Sequence, residues 1–223
     1  MWRVFSSCLW LLLLSVSVTA QHDQDLYKKC PAGHVPVQHA AKQLESNGCS
    51  KPAGISIAGE EDFTYCCDRH DVGYLTCNMN KAWAETEFKK CLSSLCRTTY
   101  KENPHCQQAA DMYVFGTTML GGGAFAESQN DYCSCVPSSD VKDHYTSYIQ
   151  NFYKKHAHDK AAEWEDGSKL AKYLEPTAKP GPLTKQFAKI TKLIYQLHSK
   201  YPKALKHVGA RVGKEPPGPR ADL

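Results

Sequence analysis

The stretch Cys66-Cys67-Asp68-Arg69-His70-Asp71-Val72-Gly73-Tyr74 sets a His-Asp dipeptide directly behind two adjacent cysteines. Around it, Phe63, Cys66, Cys67, His70, Tyr74 and Cys77 recur at helical spacing, which predicts a helix over 61–77. On that helix Cys66, His70 and Tyr74 share a face while Cys67 and Asp71 form the adjacent row, so His70 and Asp71 meet at one rim. The short Asn78-Met79-Asn80-Lys81 segment breaks the pattern, and a second helix follows over 82–99, with Trp83, Phe88, Cys91, Leu92, Leu95 and Cys96 on its apolar face. So short a connection makes the two helices antiparallel neighbours. Gly48, Pro52, Gly54 and Gly59 place a loop before the first helix, and Gly121-Gly122-Gly123 marks a break after an apolar stretch over 112–120. No repeated strand alternation argues for a β-sandwich, so the fold class is mainly α.

Working outward, the 223-residue chain opens with Arg3, an apolar run from Cys8 to Leu14 and the small-residue site Val18-Thr19-Ala20, the pattern of a secretory signal peptide over 1–20. Cleavage there leaves ten of the 11 cysteines, all within 30–135: an even number in an oxidising compartment, with room for five disulfides. The remainder divides into a stapled part, 21–136, and a cysteine-free extension, 137–223. Through Tyr153 there are 12 Lys/Arg against 16 Asp/Glu, and from Lys154 onward 15 against 7, so the net +4 originates in the extension. Such an excess is either a solvated face or an attraction to an anionic surface; charge alone carries no nucleic-acid signature.

The chemistry-bearing cluster supports three readings. His70 is a base whose unperturbed titration lies near physiological pH, and Asp71 is a neighbouring metal ligand. Cys66, Cys67 and His70 could instead hold zinc, although adjacent helical cysteines do not supply tetrahedral vectors easily and secretion favours disulfides. In the third reading His70 only fills the space between helices.

The residues Cys66, Cys67, His70, Asp71 and Tyr74 resemble the helix motif Cys-Cys-x-x-His-Asp-x-Cys-Tyr of the secreted phospholipase A2 superfamily. Asn47-Gly48-Cys49, Tyr74-x-x-Cys77, the segment Phe88-Lys89-Lys90-Cys91-Leu92-Ser93-Ser94-Leu95-Cys96-Arg97 and Cys133-Ser134-Cys135 are most similar to its group XII branch. The resemblance covers roughly residues 30–136, about half of the chain. It implies a disulfide-stapled phospholipase A2-like core with two antiparallel catalytic helices, to which the extension adds further helix. It also implies a calcium-dependent hydrolase acting on the sn-2 ester of glycerophospholipids at a membrane, micelle or vesicle surface. In that reading His70 activates water, Glu85 orients the imidazole, and Tyr74 supports the site. Asp71 binds Ca2+ with backbone carbonyls after Cys49, for which Ser50, Pro52 and Gly54 are the candidates, and the ion stabilises the oxyanion.

Three departures from the family pattern matter. Two cysteines that pair in the family are Gly73 and Ala84 here, which keeps cysteine parity even and removes one staple between the helices; Trp83 is the expected filler. The family's histidine-orienting aspartate is matched by Glu85, longer by about 1.5 Å. Gly48-Cys49-Ser50-Lys51-Pro52-Ala53-Gly54 has two glycines where the family loop is glycine-rich. These departures favour the alternative function, a catalytically weak or inactive lipid-binding or receptor-binding protein on the same scaffold.

In the extension, Tyr145, Tyr148, Ile149 and Phe152 make one apolar stripe, and Leu183, Phe187, Ile190, Ile194, Leu197, Tyr201 and Leu205 a longer one. Lys185, Lys189, Lys192, Lys200, Lys203 and Lys206 occupy the opposite face. That helix either packs on its own protein or another partner, or lies on an anionic membrane. Breaks are expected over 175–182, and a loose end around Pro216-Pro217-Gly218-Pro219. The composite expectation is a secreted, extracellular enzyme that does not bind nucleic acid; the sequence does not set its oligomeric state.

Overall fold

The computed structural model describes residues 26–50, 56–164, 168–174 and 183–208. The expected signal peptide, Pro52, Gly54, the break over 175–182 and the Pro-rich end lie outside the described residues. The elements run β1 (His34–Gln38), β2 (Glu45–Ser46), α1 (Thr64–Leu75), α2 (Lys81–Thr98), α3 (Cys106–Leu120), α4 (Gly122–Tyr132), β3 (Cys133–Pro137), α5 (Val141–His156), α6 (His158–Ala161), α7 (Ser168–Leu174), α8 (Leu183–Gln186), α9 (Ala188–Lys200) and β4 (Lys206–His207). The fold is mainly helical. β1 pairs antiparallel with β3, Val35 opposite Val136, and β2 pairs parallel with β4, Glu45 opposite Lys206.

All ten cysteines from Cys30 to Cys135 are bridged: Cys30–Cys135, Cys49–Cys67, Cys66–Cys91, Cys77–Cys133 and Cys96–Cys106. Adjacent Cys66 and Cys67 therefore reach in different directions, one to α2 and the other to the loop before α1. With both sulfurs in disulfides neither is a thiolate, which removes the zinc reading.

The hairpin of α1 and α2 forms as the spacing predicts, with shorter ends. α1 stops at Leu75 rather than Cys77 because Thr76 turns extended and returns both its amide (2.9 Å) and its hydroxyl (2.7 Å) to Val72 O, while Cys77 is drawn to Cys133. Asn78 then takes a left-handed conformation, φ 62°, which asparagine tolerates. Its side chain donates to Pro36 O at 2.8 Å. Asn80 starts α2, its Oδ1 accepting from Trp83 N at 2.8 Å, an N-cap that satisfies an otherwise unpaired helix amide.

The two helices pass closest where the family would place its missing disulfide. A Cβ on Gly73 would lie 3.1 Å from Ala84 Cβ and 3.8 Å from Tyr195 of α9. Close approach and Tyr195 fill this place, and the expectation for Trp83 is corrected: the atoms nearest a Gly73 Cβ belong to Ala84 and Tyr195, and Trp83 is partly buried beside Tyr195, edge-on with centroids 5.1 Å apart.

The apolar stripes of the extension face inward. Tyr145, Ile149 and Phe152 of α5 join Val37 of β1 and Ile190, Ile194 and Leu197 of α9 in one core cluster, and Tyr195 and Leu205 join Val72 and Tyr74 of α1 in another. Fully burying side chains such as Ile190 and Ile194 contributes about 1.5–3 kcal/mol each. The long stripe is not one helix: α9 ends at Lys200, and Tyr201 leads into a turn that carries Leu205 to β4. The apolar face needed for insertion into a bilayer is thus committed to the protein core. Lys185, Lys189, Lys192, Lys200, Lys203 and Lys206 remain at the surface. Among the described residues no helix is long and apolar enough to cross a membrane.

Candidate active site

His70 and Tyr74 lie one turn apart on α1 and face Glu85 on α2. His70 Nε2 lies 3.2 Å from Glu85 Oε2, and Tyr74 OH donates to Glu85 Oε1 at 2.6 Å. Two further residues complete the carboxylate's surroundings: Lys81 Nζ lies 3.0 Å from Oε1, and Thr117 Oγ1 donates to Oε2 at 2.6 Å. Burial pushes Glu85 up, but the hydrogen bond and charge of His70, with the hydroxyls of Thr117 and Tyr74, outweigh it and hold the carboxyl at about 2. Glu85 is therefore a carboxylate at neutral pH and can only accept. It follows that His70 bears a proton on Nε2, so that in the neutral imidazole Nδ1 is the nitrogen left to accept. Burial, then the bond to Glu85, raises Tyr74, which stays a neutral donor.

The imidazole is nearly enclosed, 7% exposed, between the rings of Tyr74 and Phe88, each with its centroid 4.4 Å away. Phe88 follows from the helical spacing, since it lies one turn after Ala84 and Glu85 on α2. Lys81 is four residues before Glu85, so the i,i+4 rule could have found it. Thr117 lies 32 residues beyond Glu85 on α3, and no sequence signal connects the two.

Asp71 points to the other side of the rim. Its Oδ2 accepts from Ser46 Oγ at 2.8 Å and from the Asn47 amide at 3.1 Å. The same Ser46 hydroxyl lies 2.5 Å from Asp68 Oδ1, so β2 is the clasp between both carboxyls and the loop. Burial pushes Asp71 up to about 6 against the lowering effect of Ser46, His70 and Asn47; the charges acting on it are His70 and Asp68. A desolvated carboxylate with so little positive charge beside it, bonded to the loop amide of Asn47, is a donor of the kind a hard divalent cation takes, and among the described residues no group of three or more metal-ligating side chains gathers around it. Ser50 is exposed in that loop, its amide on Gly48 O at 2.9 Å, and the Cys49–Cys67 bridge ties the loop to α1. His70, Tyr74 and Glu85 thus meet in one hydrogen-bonded cluster, with Asp71 one residue from its centre.

Comparison with known proteins points to one family. Residues 14–143 match the family model described as group XII secretory phospholipase A2 precursor. The chain is 32% identical over 116 residues to the mouse group XIIA secretory phospholipase A2, a match covering 48% of this chain and 60% of the relative. It is 31% identical to the human group XIIA protein over 48% of this chain and 61% of that one. A mouse group XIIB secretory phospholipase A2-like protein is 34% identical over 123 residues, covering 48% and 63%. The match thus spans about three-fifths of each relative's length, and no solved structure matches the chain significantly. The family match covers more than half of the sequence, includes every disulfide and holds the His70–Glu85 pair at its centre: the chain belongs to the group XII secretory phospholipase A2 family.

Proposed function

We propose that the protein is a secreted, calcium-dependent phospholipase A2 that hydrolyses the sn-2 ester of glycerophospholipids. The observation that carries this reading is the His70–Glu85 contact of 3.2 Å, which turns Nδ1 away from the carboxylate. Water gives its proton to His70 Nδ1 as its oxygen bonds to the sn-2 carbonyl carbon. Glu85 stabilises the imidazolium that forms, and the ester C–O bond then breaks as His70 returns the proton to the departing glycerol oxygen. The products are a fatty acid and a lysophospholipid. Phe88 and Tyr74 exclude bulk water from the imidazole faces. Asp71, with loop carbonyls from Ser50, Pro52 and Gly54, would hold Ca2+, and when bound the ion supplies positive charge for the carbonyl oxygen.

In the same reading residues 21–136 carry the chemistry and 137–223 brace it, supported by Tyr195 at the Gly73–Ala84 crossing. Secretion agrees with the family and with five disulfides. Release of sn-2 fatty acid from mixed phospholipid vesicles, with calcium, with a chelator and with His70→Gln, tests the proposal. Loss under both changes is expected; activity indifferent to both overturns it. One observation favours a noncatalytic scaffold as the second reading: Asp71 Oδ2 is already engaged by Ser46 and Asn47. Absence of hydrolysis with intact lipid binding would select it.

A further inference from the structure

The large hydrophobic side chains exposed among the described residues fall on a single helix: Met112 (51% exposed), Phe115 (68%), Met119 (64%) and Leu120 (81%), all on α3. Met112, Phe115 and Met119 follow i, i+3, i+7 spacing and make one ridge, which Leu120 extends at the helix end. The opposite side of α3 is buried through Ala109, Ala110 and Tyr113, and there Thr117 holds Glu85. Phe115 and Met119 are each two residues from Thr117, so the ridge stands about one helix diameter, ~10 Å, from the carboxylate that positions His70.

We propose that this ridge is the surface on which the protein seats on an aggregated phospholipid interface, with its apolar side chains among the acyl chains. This rests on the phospholipase reading for the nature of the substrate and adds where the substrate surface meets the protein. Three observations choose lipid over a protein partner. The four side chains expose on the order of 500 Å² together, a patch of functional size. A stable protein interface takes about 800 Å² from each side. Met112 and Met119 are flexible chains that adapt to a fluid apolar medium. Asp111 is the only charged residue on α3, so the attraction is apolar and suits neutral, zwitterionic headgroups rather than an anionic surface. Membrane docking is thereby moved from the lysine face of the extension, whose apolar stripe is buried, to α3.

The test uses the full chain carrying His70→Gln, so that binding is measured without turnover, and sucrose-loaded phosphatidylcholine vesicles. The parent is expected to sediment with vesicles equally at 0.1 and 1 M NaCl, roughly as expected for apolar docking. Adding Phe115→Ser, Met119→Ser and Leu120→Ser is expected to lower the partition coefficient at least about tenfold. In a separate protein, Phe115→Trp should be quenched by brominated phosphatidylcholine. Equal partition of parent and ridge variant, no vesicle binding by the parent, binding abolished at high salt, or a dimer in sedimentation velocity that the ridge variant dissolves would each overturn the proposal. In the active chain the ridge variant should lower the ratio of turnover on vesicles to turnover on dispersed short-chain phospholipid by the same factor; an unchanged ratio overturns it too. Absence of fatty acid release from the unmodified chain, with ridge-dependent vesicle binding intact, would defeat the hydrolase reading and leave the docking surface standing.

Discussion

Thr117 Oγ1 donates to Glu85 Oε2 at 2.6 Å, on the same oxygen that meets His70 Nε2 at 3.2 Å. A residue of α3 thereby fixes the acceptor that fixes the base. A hydrogen bond to a charged acceptor contributes about 1.5–3 kcal/mol. Thr117→Val is therefore expected to lower kcat about tenfold or more with little change in KM, while Thr117→Ser, which keeps the hydroxyl, should stay near the parent. Steady-state kinetics on both variants decide it; equal loss in the two would reduce Thr117 to packing.

Glu85 is held by four donors at once, and charge and length both matter. Glu85→Gln replaces an acceptor-only carboxylate with an amide and no longer stabilises the imidazolium, so turnover should fall by about 10²–10⁴. Glu85→Asp keeps the charge but shortens the reach by about 1.5 Å, away from Thr117 and His70, and should fall as well, by less. Turnover of the Asp variant at or above the parent would show that the four-donor geometry is not what sets the rate.

Gly121 sits where a Cβ would overlap the Tyr74 hydroxyl and Thr117 O, whereas Gly122 next to it has open space. Gly121→Ala is expected to cost about 1–3 kcal/mol in denaturant unfolding and to slow turnover by displacing Tyr74 from Glu85. Gly122→Ala is the control and should do neither.

His198 is buried against Phe152, centroids 4.9 Å apart, with Nε2 on Tyr148 OH at 3.0 Å and Nδ1 unpartnered. Burial, with a smaller contribution from His156, lowers it to about 3. In the unfolded chain it titrates near 6.5, so its contribution to stability is complete above that pH and is lost as pH falls from there towards 3. Urea midpoints should drop along that acid limb, and His198→Leu should flatten the drop; parallel limbs for both proteins would exclude His198 as the cause.

The Gly73–Ala84 crossing can be closed covalently. The Cβ separation there, 3.1 Å, is slightly below the roughly 3.5–4.5 Å of a disulfide, so the helices must part by a few tenths of an ångström. Gly73→Cys with Ala84→Cys is expected to oxidise and to add about 1–2 kcal/mol, less than a strain-free bridge. The same pair should recover part of the stability lost in Tyr195→Ala. Two titratable thiols in the purified double variant would show that the crossing cannot accept the bond.

Local helical periodicity put His70, Asp71 and Tyr74 on one helix and made its neighbour antiparallel, whereas Glu85 was named by the resemblance to the family motif and not by any periodic pattern. The helix ends were not legible, because Thr76 and Cys77 answer to a side-chain cap and a distant disulfide rather than to periodicity. The α9 stripe was visible, but amphipathicity states only that a face is buried, and Tyr195 meeting Gly73 depends on chain more than a hundred residues apart. Thr117 was invisible because its contact with Glu85, 32 residues away on another helix, follows from how α3 packs and not from any local pattern. The β1–β3 pairing joins strands separated by most of the stapled region, where Cys133-Ser134-Cys135 alternates but nothing in either strand names its partner.

Tyr195 at the Gly73–Ala84 crossing also sets an order of assembly. Chains are made from the N-terminus and domains generally fold as they emerge. A disulfide between positions 73 and 84 could form once the hairpin alone exists, whereas Tyr195 is synthesised more than a hundred residues later. The helices that carry His70 and Glu85 therefore emerge with Cys66–Cys91 between them but without their final clamp, and the last helix of the described chain completes the brace on the first.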